Sequence, residues 1–351
     1  MKAVRIHEHG GTDVLVWEEI IDPTIKPDQV LVQIKAAAIN HLDIWVRRGI
    51  PGISLPMILG SDAAGIIKKV GHEVNNFIIG DAVIINPLLF CGKCEACIDG
   101  RENECPSIGI IGESTDGTNC EFIAVNERNL RKKPDNIDFE SAASFPLAGQ
   151  TAYQMLINRA KTKDNDTVLI WGSSSGVGSF GLQIAKSIGC KVIATGGTTA
   201  KCKQAIELGA DISLNHYEDD ILGAVKDITN GRGVDVVFEH SGARTWDVSM
   251  KILGKYGRVV TCGATTGSKV SIDLRYIFFK QQSIIGSTMG NVQALDAVIE
   301  LVKTDKIKPI VDEIFSMEKI ADAHKHLELS LIHISEPTRR YAISYAVFCL
   351  K

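Results

Sequence analysis

The chain has no apolar, cleavable stretch at its N-terminus and no apolar run long enough to span a membrane, so it is expected to be a cytoplasmic protein without membrane partners. It also has no basic stripe. Its 38 Lys and Arg stand against 42 Asp and Glu, a formal net charge of -4, which leaves nothing to neutralise a run of phosphates and argues against nucleic acid as a partner. Nothing in the composition points to disorder, since hydrophobic residues make up 45% and charged ones 23%. A length of 351 residues suffices for about two domains, each with its own core, and the 32 glycines imply many tight turns.

The strongest chemical feature present is a cysteine quartet. Cys91, Cys94, Cys97 and Cys105 form a C-x2-C-x2-C-x7-C cluster that begins Cys91-Gly-Lys-Cys94-Glu-Ala-Cys97. Closely spaced thiolates on a Gly-containing loop can turn inward around one Zn2+ at about 2.3 Å, and four thiolates leave no position for substrate. The expected ion is therefore a structural clamp. A disulfide framework is the weaker reading for a chain without a secretory leader. Cys120, Cys190, Cys202, Cys262 and Cys349 lie far apart, and the first four read as small buried hydrophobes.

From Met1 to about Asn126 the pattern is strand-rich and punctuated by glycine, with Val30–Ile34, Ala64–Lys68 and Asp81–Ile85 as short strands of an antiparallel, barrel-like half. After Phe139 apolar runs alternate with helical segments, at Thr167–Trp171, Lys191–Thr195, Ile212–Leu214, Val234–Phe238, Arg258–Thr261 and Ser283–Gly286. Six such runs predict a parallel, doubly wound α/β sheet. Their near-continuous apolarity suits a sheet covered by helices on both faces. From Val292 the chain is expected to rejoin the first half. The domains are thus 1–127 with 292–328, and 128–291.

Directly after Val168-Leu-Ile-Trp171 comes Gly172-Ser-Ser-Ser175-Gly176-Val177-Gly178, ahead of a helix predicted over about Ser179–Ile188. Glycines between a strand and a helix let the backbone approach a pyrophosphate and aim helix N-terminal amides at its charge. About 20 residues on, an acid would accept a bond from the adenosine 2'-hydroxyl of NAD. There is none. The chain reads Ala194-Thr195-Gly-Gly-Thr198-Thr-Ala-Lys201-Cys-Lys203, whose hydroxyls and ammonium groups suit a 2'-phosphate, so NADP is favoured over NAD. Were Lys201 and Lys203 merely solvated charges at a helix start, the preference would be open.

The cysteine quartet, the barrel-like half and the glycine loop together resemble the medium-chain dehydrogenase/reductase superfamily, over Met1 to about Glu328. That resemblance implies a GroES-like barrel domain, a Rossmann dinucleotide-binding domain and a homodimer or homotetramer. The family's zinc-dependent alcohol dehydrogenases hold a second, catalytic zinc, and the matching segments here are Asn40-His-Leu-Asp43, Leu59-Gly-Ser-Asp62 and Pro146-Leu-Ala-Gly149. Asn40, Ser61 and Leu147 then stand where the three ligands would be, and Leu42 replaces the hydroxyl that relays the alcohol proton. An amide, a hydroxyl and an alkyl group are poor zinc ligands, so the catalytic zinc is expected to be absent, with His41 and Asp62 as an unusual rescue.

What remains resembles the quinone oxidoreductase and enoyl reductase branch, which reduces an alkene conjugated to a carbonyl with NADPH and no metal. By resemblance Asn40, Asp43 and Arg47 keep that branch's catalytic-segment spacing, although Asp43 and Arg47 could equally pair to hold the loop. Resemblance also places Thr151 against the nicotinamide, and Gly242 with Cys262-Gly263-Ala264 around its ribose and carboxamide. Lone His240 at the end of the fourth strand reads as a satisfied hydrogen bonder. Two further readings stay open, an alcohol dehydrogenase with an atypical metal site and a non-enzymatic NADPH-binding protein.

The last 23 residues read differently. Leu329–Arg339 resembles the conceptual translation of a transposase adapter from sequencing libraries, and Ile343–Leu350 that of its flow-cell sequence. Segment 329–351 is accordingly set aside as non-native and expected to supply no closing strand.

Overall fold

The computed structural model describes the backbone of residues 1–335 and 346–349 and the side chains of residues 1–329. Short strands fill the first third: β1 (Lys2–Ile6), β2 (Val16–Glu19), β3 (Gln29–Ala38), β4 (Met57–Ile58), β5 (Asp62–Val70), β6 (Ala82–Ile85), β7 (Leu88–Leu89), β8 (Gly109–Ile110), β9 (Phe122–Asn126) and β10 (Leu130–Lys132). Helices α1 (His41–Arg48) and α2 (Glu95–Ile98) interrupt them. Pairing runs antiparallel through β10-β6-β5-β3, with β9 also on β3. Up to Ile34 the residues of β3 that face the barrel core are Val30, Val32 and Ile34, but beyond it the core-facing residues are Ala37 and then Ile39, just past the strand's end. A register shift between Ile34 and Ala36 explains the switch, because one extra residue in a strand inverts which parity faces which side. Ala36 and Ala38 thereby turn to the second half of the molecule and join its core.

That half contains α3 (Phe139–Ala143), α4 (Pro146–Tyr153), α5 (Gly176–Ser187), α6 (Thr199–Glu207), α7 (Ile221–Ile228), α8 (Trp246–Ile252), α9 (Leu274–Lys280) and α10 (Val292–Lys303). Its strands are β11 (Thr167–Ile170), β12 (Lys191–Gly196), β13 (Ile212–Asn215), β14 (Val234–Glu239), β15 (Leu253–Thr261) and β16 (Ser283–Gly286). They form one parallel sheet in the order β13-β12-β11-β14-β15-β16. The chain moves outward from β11 and then returns beside it as β14, so a crevice opens over the carboxyl ends of these two strands. Val168 and Ile170 pack into one core cluster, Leu169 and Trp171 into another, which accounts for the unbroken apolar run. Two boundaries differ from those read in the sequence. Helix α5 starts at Gly176, so the last glycines lie in its first turn, and β15 starts at Leu253 rather than Arg258.

The return to the first half comes later than Val292. Leu295, Val298 and Val302 of α10 pack with Val168, Ile170 and Phe180. After that β17 (Glu313–Ser316) and α11 (Ile320–Ser335) rejoin the barrel, where Met317, Ile320, Ala323 and Leu327 are buried. The tail corrects a second expectation. Helix α11 runs on through 335, and a strand β18 (Ala346–Cys349) lies antiparallel to β3 and parallel to β17. The remainder of the adapter-like segment, 336–345 with 350–351, lies outside the described residues.

Candidate functional site

The four cysteines converge. Their sulfurs all lie within 4.8 Å of one another, with Cys94 Sγ at 3.4 Å from Cys97 and 3.8 Å from Cys105, and Cys91 Sγ at 3.9 Å from Cys97. Four bonds of about 2.3 Å in a tetrahedron put sulfurs about 3.8 Å apart, so the quartet fits one zinc. The N–H groups of Cys91 and Ser107 point at Cys105 Sγ, at 3.4 and 3.3 Å. Backbone N–H groups of Lys93 and Cys94 hold the Cys91 thiol down to about 6, toward the thiolate that a metal needs.

The glycine loop is held from below. Ser175 caps α5, its Oγ accepting the Gly178 N–H at 3.1 Å. Gly172 takes φ +53, and a Cβ on Gly178 would sit 2.4 Å from the Gly172 carbonyl, so no side chain fits between turn and helix. Val177 and Gly176 complete that first helical turn. Thr195 is a correction, for it is fully buried and braces the loop instead of facing a ligand. Its Oγ1 accepts the Gly172 N–H at 3.0 Å, and its carbonyl accepts the N–H and Oγ of Ser173. His240 is satisfied as expected, its Nε2–H donating to the Trp171 carbonyl at 2.8 Å with Ser175 Oγ at 3.2 Å, and burial lowers its pKa.

A cavity of about 300 Å³ opens beside this loop, lined by Trp171, Gly172, His216, Tyr217, Arg244 and Thr245 among others. Sequence spacing pointed to none of these last four. Burial holds His216 down to about 4, with the Lys201 charge as a second cause. The two lysines part company. Lys201 is buried on α6 behind the Thr198 cap, its pKa lowered by burial against the opposing charge of Asp312, whereas Lys203 is exposed and 3.8 Å from Glu207.

Glu239 also went unread, although an acid at a strand end before His-Ser-Gly is a visible signal. It is fully buried, with Oε1 accepting the N–H groups of Ser241 and Gly242 at 2.7 and 3.1 Å. Its Oε2 accepts the hydroxyls of Thr245 and Ser249, each at 2.8 Å. These bonds fix Gly242 at φ +91, where a Cβ would lie 3.0 Å from Ala264 Cα. Gly242 and the Cys262-Gly263-Ala264 turn are thus brought together at the strand ends. Burial pushes the half-buried Cys262 thiol up to about 12, so it is a neutral thiol.

Across the crevice, Asn40 is the N-cap of α1, and its Nδ2 donates to Asp62 Oδ2 at 3.0 Å. Asp62 Oδ1 accepts the Leu147 N–H, at the start of α4, at 2.9 Å. One buried carboxyl therefore ties together two of the three would-be ligand positions and adjoins the third, Ser61, whose buried Oγ has no protein partner. Burial raises Asp62 to about 8, against the pull of those two N–H donors. Asp43 and Arg47 do not pair with each other. Asp43 accepts the N–H groups of Asn40 and Gly60 at 2.6 and 3.1 Å and is raised to about 7 by burial. Arg47, 1% exposed, donates to the Gly10 carbonyl, His324 Nδ1 and the Glu328 carboxylate. Both are supports, not groups that reach substrate. His41 meets the Trp45 ring edge-on at 4.6 Å, and burial keeps it neutral with a pKa of about 4. Thr151 lies one helical turn beyond Leu147, nearly buried.

The family model for the alcohol dehydrogenase GroES-like domain matches residues 26–135, and that for zinc-binding dehydrogenase matches residues 176–304. The chain is 32% identical to crotonyl-CoA carboxylase/reductase of Cereibacter sphaeroides, over 92% of this chain and 83% of that one. It belongs to the medium-chain dehydrogenase/reductase superfamily. Human quinone oxidoreductase is 28% identical over 93% of this chain and 94% of its own. A solved structure described as an NAD-dependent alcohol dehydrogenase is 37% identical, with a TM-score of 0.94 and full coverage of both chains. As a superfamily member the protein is an oxidoreductase, for which a nicotinamide dinucleotide is the expected cofactor, and the glycine loop fits one. The quartet fits the structural zinc. No described helix is long and apolar enough to cross a membrane.

Proposed function

We propose that this oxidoreductase reduces quinones or α,β-unsaturated carbonyl compounds with NADPH and without a catalytic zinc. The observation that carries the proposal is the Asn40–Asp62–Leu147 bridge, at the positions where zinc-dependent members hold their metal. An amide, a backbone N–H and a buried carboxyl already bonded to both form no thiolate or imidazole set for zinc. NADPH, when bound, supplies the hydride. An electron-poor alkene accepts hydride at its β-carbon, and the oxygen that gains charge needs donors. Asn40 spends one N–H on Asp62 and has a second for that oxygen, with Asp62 setting the orientation of the amide. The lack of an acid at the end of β12, together with the Lys201 charge that acts on the cavity residue His216, supports NADPH over NADH.

Resemblance to crotonyl-CoA carboxylase/reductase and to quinone oxidoreductase supports the same class of acceptor. The likeness to an NAD-dependent alcohol dehydrogenase favours a second reading, an alcohol dehydrogenase with atypical metal ligands. One experiment separates the two. NADPH and NADH oxidation is followed with quinones, enones, enoyl thioesters and simple aldehydes, with zinc measured on the same sample. Turnover of quinones or enones with one zinc per chain is expected, whereas aldehyde turnover with two zincs per chain would establish the second reading. No oxidation with any acceptor would refute both.

A further inference from the structure

The zinc lobe reaches into the other half of the molecule. Between its third and fourth cysteines, the loop around Gly100 to Asn103 makes three contacts with the segment that follows β16. Asn103 Nδ2 donates to the Thr288 carbonyl at 3.3 Å, Asn291 Nδ2 donates to the Gly100 carbonyl at 2.7 Å, and the Val292 N–H donates to Glu102 Oε2 at 3.2 Å. Glu102 is only 8% exposed, and Val292 opens the 12-residue α10, so a shielded carboxylate meets the positive end of a helix. Cys97 and Cys105 flank this loop, which makes its shape depend on the quartet.

The segment it grips adjoins the helix that borders the crevice. Ser287–Asn291 follows the carboxyl end of β16, the outermost strand of the parallel sheet, two strands from β14. It packs directly on α4, since a Cβ on Gly290 would come within 2.5 Å of the Gln150 carbonyl, next to Thr151. Met289 at its centre is nearly buried and takes φ +49, a left-handed backbone that a non-glycine residue keeps only where its neighbours impose it. The neighbours on either side, Thr288 and Asn291–Val292, are those tied to the lobe.

We propose that the lobe is a brace as well as a clamp, holding the Ser287–Asn291 turn, and with it one wall of the cofactor crevice, through Glu102 and Asn103. Glu102 is a positioning residue and touches no reacting group. The inference rests on dinucleotide binding in this crevice and not on the choice of acceptor, so its readouts are local order and cofactor affinity.

The test uses the full-length, zinc-loaded protein with Glu102→Ala and Glu102→Gln. Zinc content, amide hydrogen exchange over residues 287–293 and the dissociation constants of NADPH and NADH are measured for each. Glu102→Ala should keep one zinc per chain, speed exchange in that segment about tenfold or more, as loss of a bond to a charged acceptor implies, and weaken the preferred dinucleotide at least about threefold. Exchange over β12 and α6 should stay unchanged. Glu102→Gln keeps an oxygen for the Val292 N–H and should restore most of both. Unchanged exchange over 287–293 in Glu102→Ala would overturn the proposal, as would faster exchange with wild-type cofactor affinity. If Glu102→Ala fails to fold, Asn103→Ala, which removes only the Thr288 contact, should shift exchange in the same direction by a smaller factor, and no shift there would overturn the proposal equally.

Discussion

Replacing Asp62 by asparagine probes the bridge through the pH dependence of stability. Asp62 is 1% exposed, and burial raises its carboxyl from 3.8 to about 8. The folded chain therefore holds this proton more tightly than the unfolded chain across that window. Stability from this group is fully present below the unfolded pKa and is lost as pH rises through the folded one. Each pH unit inside the window is worth about 1.4 kcal/mol, so between about pH 5 and about pH 7 Asp62 should take roughly 2.7 kcal/mol from the wild type. An introduced amide does not titrate. Its oxygen can keep the Leu147 N–H and its NH2 can meet the Asn40 oxygen once that amide turns over, so both hydrogen bonds survive. Asp43, raised to about 7, titrates in both proteins, and because its charge is the smallest of the causes acting on Asp62, most of its contribution cancels in the comparison. The unfolding free energy of Asp62→Asn relative to wild type should thus rise by about 2–3 kcal/mol over this interval. Urea unfolding of both proteins, followed by tryptophan fluorescence and far-UV circular dichroism, measures it. Parallel pH profiles would refute the buried, proton-holding carboxyl.

Three further outcomes are expected. Cys94→Ser should lower zinc below one per chain and lead to unfolding or aggregation, because structural zinc contributes folding free energy; a soluble, folded variant lacking only activity would contradict this. Arg47→Met removes the buried one of the two arginines on the Glu328 carboxylate, Arg48 at 3.1 Å keeping its contact, and leaves His324 Nδ1 without that partner, so it should destabilise the chain by about 1–3 kcal/mol while kcat at low temperature stays near wild type. A fall in kcat without a fall in melting temperature would restore Arg47 to catalysis. Lys201→Ala should raise KM for NADPH about tenfold or more and leave KM for NADH nearly unchanged, as removal of a charged partner for a 2'-phosphate requires; equal changes for both would show that Lys201 does not choose the cofactor.

Much of the fold was readable in the chain, since strand–helix alternation is a local, periodic signal. Five of the six parallel strands begin where their apolar runs begin, and the exception, β15, opens with Leu253-Gly-Lys-Tyr-Gly257, a glycine-broken stretch that hides a strand. In the site, the loop Gly172–Gly178 and the quartet were legible because their residues are neighbours in sequence. Thr195 was singled out correctly and given the wrong task, for a hydroxyl at a strand end looks the same whether it faces a phosphate or a backbone N–H. Asp43 and Arg47 were misjudged for a related reason. Their partners include Gly60 and Glu328, and the latter lies 281 residues away.

Chemistry that depends on residue type and short spacing was settled by the sequence alone. Four thiolates at Cys91 to Cys105 fit a zinc in any fold that lets them meet, and glycines between a strand and a helix fit a pyrophosphate wherever the sheet lies. Tertiary structure decided what depends on burial and on long-range approach. Only enclosure raises the Asp62 carboxyl, only packing joins Asn40 to Leu147 through it, and only folding sets the loop before Cys105 against the turn at Met289. Desolvation and hydrogen bonding between distant segments are properties of the assembled interior, and no local stretch of sequence carries them.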